Sequence, residues 1–141
     1  MVIDTNNYYP GRDGEFADLE AGVATSSELL QRHLPRSRVV KAFNNIYFRH
    51  LATLSRPAGA ADRTTLPIAG DDSAAKTAAA QLISALGYDT IDIGALADSW
   101  RTQPDTPVYG NPYAAAQPFW DHEGAPADAA EIRKAVEAAE R

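Results

Sequence analysis

The 141-residue sequence contains no cysteine, which removes disulfides, thiolate metal sites and cysteine nucleophiles from consideration. It also has no apolar run of the length that a membrane-spanning helix requires, and Asp4, Asn6 and Asn7 interrupt any signal-peptide core near the start. These absences make a cytoplasmic protein with no membrane partner the default expectation. Positive charge is in short supply: 13 Lys and Arg stand against 19 Asp and Glu, for a formal net charge of -6. Non-specific nucleic-acid binding depends on a cationic surplus facing phosphate, so nucleic acid is not an expected partner. The histidines, His33, His50 and His122, lack the spacing of a metal site or a proton relay, and no metal is expected. His33 and His50 fall on helix faces and are expected at the surface. Neither Gly-x-Gly-x-x-Gly nor a Walker A sequence occurs among the nine glycines, so the turn that cradles a pyrophosphate has no counterpart. Ser26 and Ser27 lie outside any Gly-x-Ser-x-Gly context, which leaves a hydrolase triad without support.

What is present is an ordinary globular composition, 45% hydrophobic and 23% charged, sufficient for one domain or part of a larger one. Val2-Ile3 reads as the end of a buried strand that leaves a sheet through Asp4-Thr5-Asn6-Asn7. A Pro- and Gly-rich loop, Tyr8 to Gly14, precedes a helix start at Thr25-Ser26-Ser27-Glu28, where hydroxyl caps meet an acidic first turn. Arg38 to Phe43 is a second strand closed by Asn44-Asn45, and Ile46 to Leu54 reads as a helix with Phe48, Leu51 and Leu54 on one side. Leu66 to Gly70 is a third strand. Asp71-Asp72-Ser73 then caps an Ala-rich helix from Ala74 to Leu86, with Ala75, Ala79, Leu82, Ile83 and Leu86 inward. Tyr88 to Ile93 is a fourth strand, and Ala125 to Arg141 a terminal helix. Strands alternating with helices predict an α/β fold: a partial Rossmann-like, mostly parallel sheet with helical crossovers. Residues 1–103 form the sheet-bearing part, and residues 104–141 an aromatic, Pro-containing segment followed by the terminal helix.

Ligands of open parallel sheets sit beyond the carboxyl ends of the strands. Asn6, Asn7 and Tyr8 follow one such end, and Asn44, Asn45 and Ile46 another. Paired asparagines supply amide donors and acceptors that suit a carboxamide, a ribose or a phosphate; they also make Asx turns, and both readings stay open. On neighbouring strands, the four amides would share one rim. Gly70-Asp71-Asp72 could hold a hard cation, but its place before a long helix favours a cap. Trp100-Arg101 could wall a flat polyaromatic coenzyme or pack the coil onto the core. The basic residues Arg32, Arg36, Arg38 and Lys41 read as a solvated helix end, with an anionic cofactor as the alternative.

Val2-Ile3-Asp4-Thr5-Asn6-Asn7-Tyr8-Tyr9-Pro10, Val39-Val40-Lys41-Ala42-Phe43-Asn44, Pro67-Ile68-Ala69-Gly70-Asp71-Asp72 and Asp92-Ile93-Gly94-Ala95-Leu96 together resemble consecutive motifs of bacterial NADP oxidoreductases. These are related to the NADPH-dependent reductase of the deazaflavin coenzyme, factor 420. The resemblance runs along nearly the whole chain and corresponds to the C-terminal part of that family, without its N-terminal Gly-rich, dinucleotide-binding half. It implies NADP(H) as cofactor, a deazaflavin or similar acceptor, and direct hydride transfer between the two rings. On this resemblance Asn6, Asn7 and Tyr8 lie near the nicotinamide ribose and phosphates. Asn44, Asn45 and Ile46 border the ring where hydride is exchanged, with Asn44 and Ile46 as the catalytic positions and Asn45 on the cofactor. Trp100 and Arg101 face the second coenzyme. The deazaflavin reductases carry a histidine where this sequence has Asn44, so the acceptor stays open. Without the Gly-rich turn, NADP(H) binding is expected to be weak. The strand at Val2 is expected to leave an unsatisfied edge, favouring self-association or a complementing chain. The alternative expectation is a non-catalytic interaction module that keeps the sheet and pairs with a separate nucleotide-binding chain.

Overall fold

In a computed structural model covering residues 1–141, the apolar segments become a sheet of four strands in the order β1-β2-β3-β4. They are β1 (Val2–Asp4), β2 (Val39–Lys41), β3 (Thr65–Gly70) and β4 (Asp89–Asp92). β1 pairs with β2 in parallel and β3 with β4 in parallel, whereas β2 and β3 run antiparallel. The sheet is therefore mostly parallel, as the alternating pattern implies, with one reversal in the middle. The β2 to β3 connection carries only a six-residue helix, α4 (Phe48–Thr53), and does not return the chain to the rim from which β2 starts. In consequence the carboxyl ends of β1 and β2 share a rim with the amino ends of β3 and β4. Gly70-Asp71-Asp72 lies at the opposite rim.

The remaining helices are α1 (Pro10–Asp13), α2 (Ala17–Glu20), α3 (Ser26–His33), α5 (Ser73–Ala85) and α6 (Ala129–Glu137), with 3-10 turns at Leu96–Thr102, Asn111–Tyr113 and Phe119–Asp121. The α3 start is a reciprocal capping box between Thr25 and Glu28, of the kind its sequence announces. Asp72 caps α5 by accepting from the Ala75 N–H at 2.8 Å. This bond, helped by Arg38, holds its carboxyl below the ordinary value. Asp71 instead accepts from the Leu96 N–H. Both carboxylates of the Gly-Asp-Asp thus serve chain reversal. No group of three His, Asp or Glu side chains is placed to hold a metal ion, and no helix is long and apolar enough to cross a membrane.

The core runs through all four strands and includes residues from the last third of the chain: Val40, Leu66, Ile68, Ile83 and Ile91 pack with Val108, Tyr113 and Ile132. On α5 the inward face is Ala75, Ala79 and Ile83. Leu82 and Leu86, expected inward, are 46% and 51% exposed: Leu82 sits about 100° around the helix from its neighbour Ile83, and Leu86 is the capping residue beyond the end of α5. Phe48 is likewise turned out rather than aligned with Leu54. His50 departs in the other direction. It is buried, donating from Nε2 to the His122 carbonyl at 3.0 Å, because the segment that carries His122 folds back over α4. Arg63, inside an unremarkable small-residue loop, is also buried, and spans Asp89 and the carbonyls of Arg56, Ser84 and Tyr88.

The basic cluster does not form one solvated surface. Lys41 is buried between β1 and β2, with Nζ 2.9 Å from Asp4 Oδ2 and donating also to the Asn6 carbonyl. Asp4 accepts further from the Ser27 hydroxyl at 2.7 Å and the Asn6 N–H at 3.0 Å. Burial pushes the Asp4 carboxyl up, but the Lys41 ammonium and these hydrogen bonds outweigh it and hold the carboxyl below its ordinary value. A carboxylate with a depressed folded-state pKa contributes stability above its unfolded value, near 3.9, and that contribution is lost as pH falls through the folded value. Replacing Asp4 by Asn would leave the ammonium buried without a counter-charge, at a cost of about 3–5 kcal/mol. Urea unfolding at neutral pH should register that loss. Between pH 5 and 2 the variant should show a shallower fall in stability than the parent.

Candidate functional site

The rim at the ends of β1 and β2 is organised by amides. Asn7 Nδ2 donates to the Asn44 carbonyl at 2.7 Å, and Asn44 Nδ2 donates to Asn7 Oδ1 at 3.1 Å. The two strand ends, 37 positions apart in sequence, are therefore stapled side chain to side chain. Asn44 also reaches the segment after β4: its second Nδ2 hydrogen goes to the Thr102 carbonyl at 2.8 Å, and its Oδ1 accepts from the Thr102 hydroxyl at 3.2 Å. Asn45 is turned the other way, into the interior. Its Nδ2 donates to the Val108 carbonyl at 3.1 Å and to the Tyr113 hydroxyl at 3.0 Å, while its main-chain carbonyl accepts from the Gly110 N–H at 2.8 Å. Val108 can offer only an acceptor there, which fixes the orientation of the amide and leaves Asn45 Oδ1 buried without a partner.

Of the paired asparagines, then, Asn7 and Asn44 meet on the rim, Asn45 braces it from below, and the Asn6 side chain lies apart. Asn6 contributes its backbone, to Asp4 and Lys41. The turn that aims the amides carries backbone strain: Phe43 has a φ of 65°, a left-handed conformation that costs a bulky residue about 1–3 kcal/mol and gathers at functional sites.

Two cavities adjoin this pair, and Asn7 borders both. The first, of about 580 Å³, is walled mainly by Phe43, Ile46, Tyr47, Phe48, Tyr109 and Phe119, with Asn44 and Asn45 at its edge. Its walls hold together edge to face, Phe119 against both Tyr47 and Tyr109 at 5.9 Å between ring centres. Gly110 is required here, because a Cβ at that position would stand 2.4 Å from the Phe119 ring. The second cavity, of about 330 Å³, is more polar and is bordered by Tyr8, Tyr9, Ser26, Lys41, Ser99 and Trp100. A hydrogen bond between the Tyr9 and Tyr109 hydroxyls stands between the two spaces. Burial, and then the Tyr9 hydroxyl, raise the Tyr109 phenol well above its ordinary value, so it remains a neutral donor or acceptor at any physiological pH. Tyr8 donates to Glu20 at 2.6 Å and holds α2 to the loop. Trp100 carries the Arg101 guanidinium 4.5 Å from its ring centre. Arg101 donates to the Val136 carbonyl of α6 and borders neither cavity.

Thr102 and Phe119 lay outside the sequence reading, and Lys41 entered it only as one residue of a basic run. Asn44, which Thr102 bonds, is the only signal that could have pointed to Thr102; no local signal points to Phe119.

Fold and site together define an α/β protein of partial Rossmann type with a cleft beyond two parallel strand ends. No protein-family model matches the chain. Among solved structures it is similar to the hypothetical protein SMa0349 from Sinorhizobium meliloti, with a TM-score of 0.62 and 32% identity over 75% of this chain and 50% of that one. A candidate F420-dependent NADP reductase from Arthrobacter sp. FB24 aligns with a TM-score of 0.44 and 34% identity, over 52% of this chain and 32% of that one. The protein YjhV of Escherichia coli (strain K12) is 38% identical over 60 residues, 43% of this chain and 44% of YjhV. The chain spans half or less of the length of each of these relatives.

Replacing Asn45 by Leu would remove the donor to Val108 and Tyr113 and leave a buried carbonyl unpaired, at about 1–3 kcal/mol. Thermal unfolding should show the loss, and the resonances of residues 108 to 113 should shift or broaden.

Proposed function

We propose that this chain forms part of an NAD(P)H-dependent oxidoreductase, and that its rim cleft holds the place where hydride passes between NADPH and a deazaflavin or similarly flat acceptor. The observation that carries the reading is the reciprocal bond between Asn7 and Asn44. It joins two parallel strand ends at the point where an aromatic cavity meets a polar one, at the crevice position where open α/β sheets take their ligands. The run of motifs from Val2 through Leu96 supports the same class. NADPH, when bound, supplies the hydride. The task of the chain is to set two flat rings in register and keep water out.

The residues present fit the nicotinamide end of such a cofactor. Phe43, Ile46, Tyr109 and Phe119 offer a flat apolar enclosure, with Asn44 and Asn45 at its edge. Asn7 and Tyr8 stand on the polar side with Trp100, where a ribose and the second coenzyme would approach; Asn6 flanks them. Asn44 is committed to Asn7 and Thr102, so its part is to hold the cleft in shape. The 141 residues contain no Gly-x-Gly-x-x-Gly turn, and nothing on the rim replaces a pyrophosphate cradle. NADPH fluorescence titration of this chain should therefore give a dissociation constant above the micromolar range. Asn7→Ala should weaken binding about tenfold, the loss expected for a hydrogen-bonding group facing a polar ligand. Submicromolar binding by the parent would overturn the account of a half-equipped site. Identical titrations for parent and variant would overturn the placement.

A second reading has its own observation. β1 pairs only with β2, and beside it lies an apolar groove of about 380 Å³ bordered by Phe16, Leu19, Leu29 and Leu30. An open edge flanked by apolar surface is a site for another strand, from a second copy or a complementing nucleotide-binding chain. Sedimentation of the purified protein should then show mass above 15.2 kDa that grows with concentration. A single monomeric species throughout would remove the ground for this reading.

A further inference from the structure

We infer that the polar cavity is an oxyanion pocket, built to take one carboxylate or phosphate group of a small ligand at its inner end. This goes beyond the hydride reading and does not depend on it. Part of the cavity's lining is made of groups that donate. Ser26, which borders the cavity, begins α3, a helix of eight residues, and its N–H, like that of Ser27 next to it, has no acceptor in the protein. Free N–H groups at a helix start favour negative charge. An independent sign comes from Ser99, on the other side of the cavity. It is 3% exposed and borders the cavity; its main-chain carbonyl accepts from the Thr102 hydroxyl, while its own hydroxyl makes no hydrogen bond within the protein. A hydroxyl left free beside a cavity can bond to whatever enters it, water or a ligand oxygen. Lys41 borders the same space, with its ammonium committed to Asp4 and the Asn6 carbonyl, which leaves one of its three N–H groups.

Negative groups are near but differently placed. Glu28 is turned back onto the Thr25 N–H by the capping box, while Glu20 and Asp105 border the cavity and are exposed to solvent. Buried donors beside solvent-exposed carboxylates admit a single oxyanion and disfavour a ligand that carries several negative charges along its length, such as a polyphosphate.

The test uses the full chain, labelled with 15N, titrated at constant ionic strength with inorganic phosphate and separately with acetate. Saturable shifts confined to the amides of Ser26, Ser27 and Ser99 are expected with at least one of them, and the stronger titrant distinguishes phosphate from carboxylate. Ser99→Ala should weaken that response about tenfold, as loss of a hydrogen bond to a charged group does. Ser26→Pro removes one donating N–H at a helix position where proline is tolerated, so it should lower affinity while the rest of the spectrum holds. Non-saturating shifts spread over the surface, or variants that titrate like the parent, would overturn the pocket. NADPH added to the same samples separates the two claims: a phosphate or acetate response without an NADPH response defeats only the hydride reading.

Discussion

The amide of Asn44 is the constraint on which the rest of the rim depends. Its two N–H groups and its carbonyl are all engaged, with Asn7 from the end of β1 and with Thr102 from the coil after β4. Three segments far apart in sequence are thereby referred to one side chain. Because a buried amide left unpaired costs as much as several net hydrogen bonds contribute, such a junction is satisfied as a whole or not at all. Asn45 extends the junction to Val108 and Tyr113, so neighbouring residues fasten the coil at both its near and far ends. The aromatic cavity exists because this coil is held a fixed distance above the strand ends. Tyr109 and Gly110 lie between the two fastening points.

Sheet topology determines what else can gather there. The reversal between β2 and β3 sends Gly70-Asp71-Asp72 to the far rim, where both carboxylates turn the chain into α5 and toward Leu96. The near rim is left mainly with amides, hydroxyls and aromatic rings, and its cations are matched: Lys41 by Asp4, and Arg12, which donates to the Asn7 carbonyl, by Asp13. A cleft of this kind offers little net field and much shape. That suits the approach of two flat, stable partners, where positioning and exclusion of water count for more than acid-base chemistry.

The sequence made the architecture legible because its signals are local. The order of strands and helices, the Thr25 and Asp72 caps and the Ala-rich character of α5 follow from neighbouring residues alone. The twin asparagines were legible as a coincidence of two strand ends, and their meeting through Asn7 and Asn44 is the part of that coincidence that the structure retains. What local reading missed was set by distant segments. Lys41 looked like one more residue of a basic surface run because its partner lies 37 residues earlier, on the adjoining strand. His50 looked like a surface residue because nothing near it announces that His122 will cover it. Leu82 looked inward because apolar character alone does not distinguish adjacent rows of a helix, and Leu86 because its apolar side chain continues the pattern past Ala85, where α5 ends.

The strain in the rim argues that its geometry is kept for a purpose other than stability. Phe43 stands in a left-handed conformation, and two residues on, Asn45 leaves Oδ1 buried without a partner. Each feature is individually unfavourable by about 1–3 kcal/mol, and an ordinary strand-to-helix turn needs neither. Both follow from the same requirement, that consecutive side chains at the end of β2 point to opposite sides, Asn44 onto the rim and Asn45 into the base of the coil. A glycine at Phe43 would relieve the backbone but remove a wall of the aromatic cavity, and an apolar residue at Asn45 would satisfy the interior but release Val108. The turn keeps both costs, and what it keeps with them is the enclosed space between β2 and Phe119.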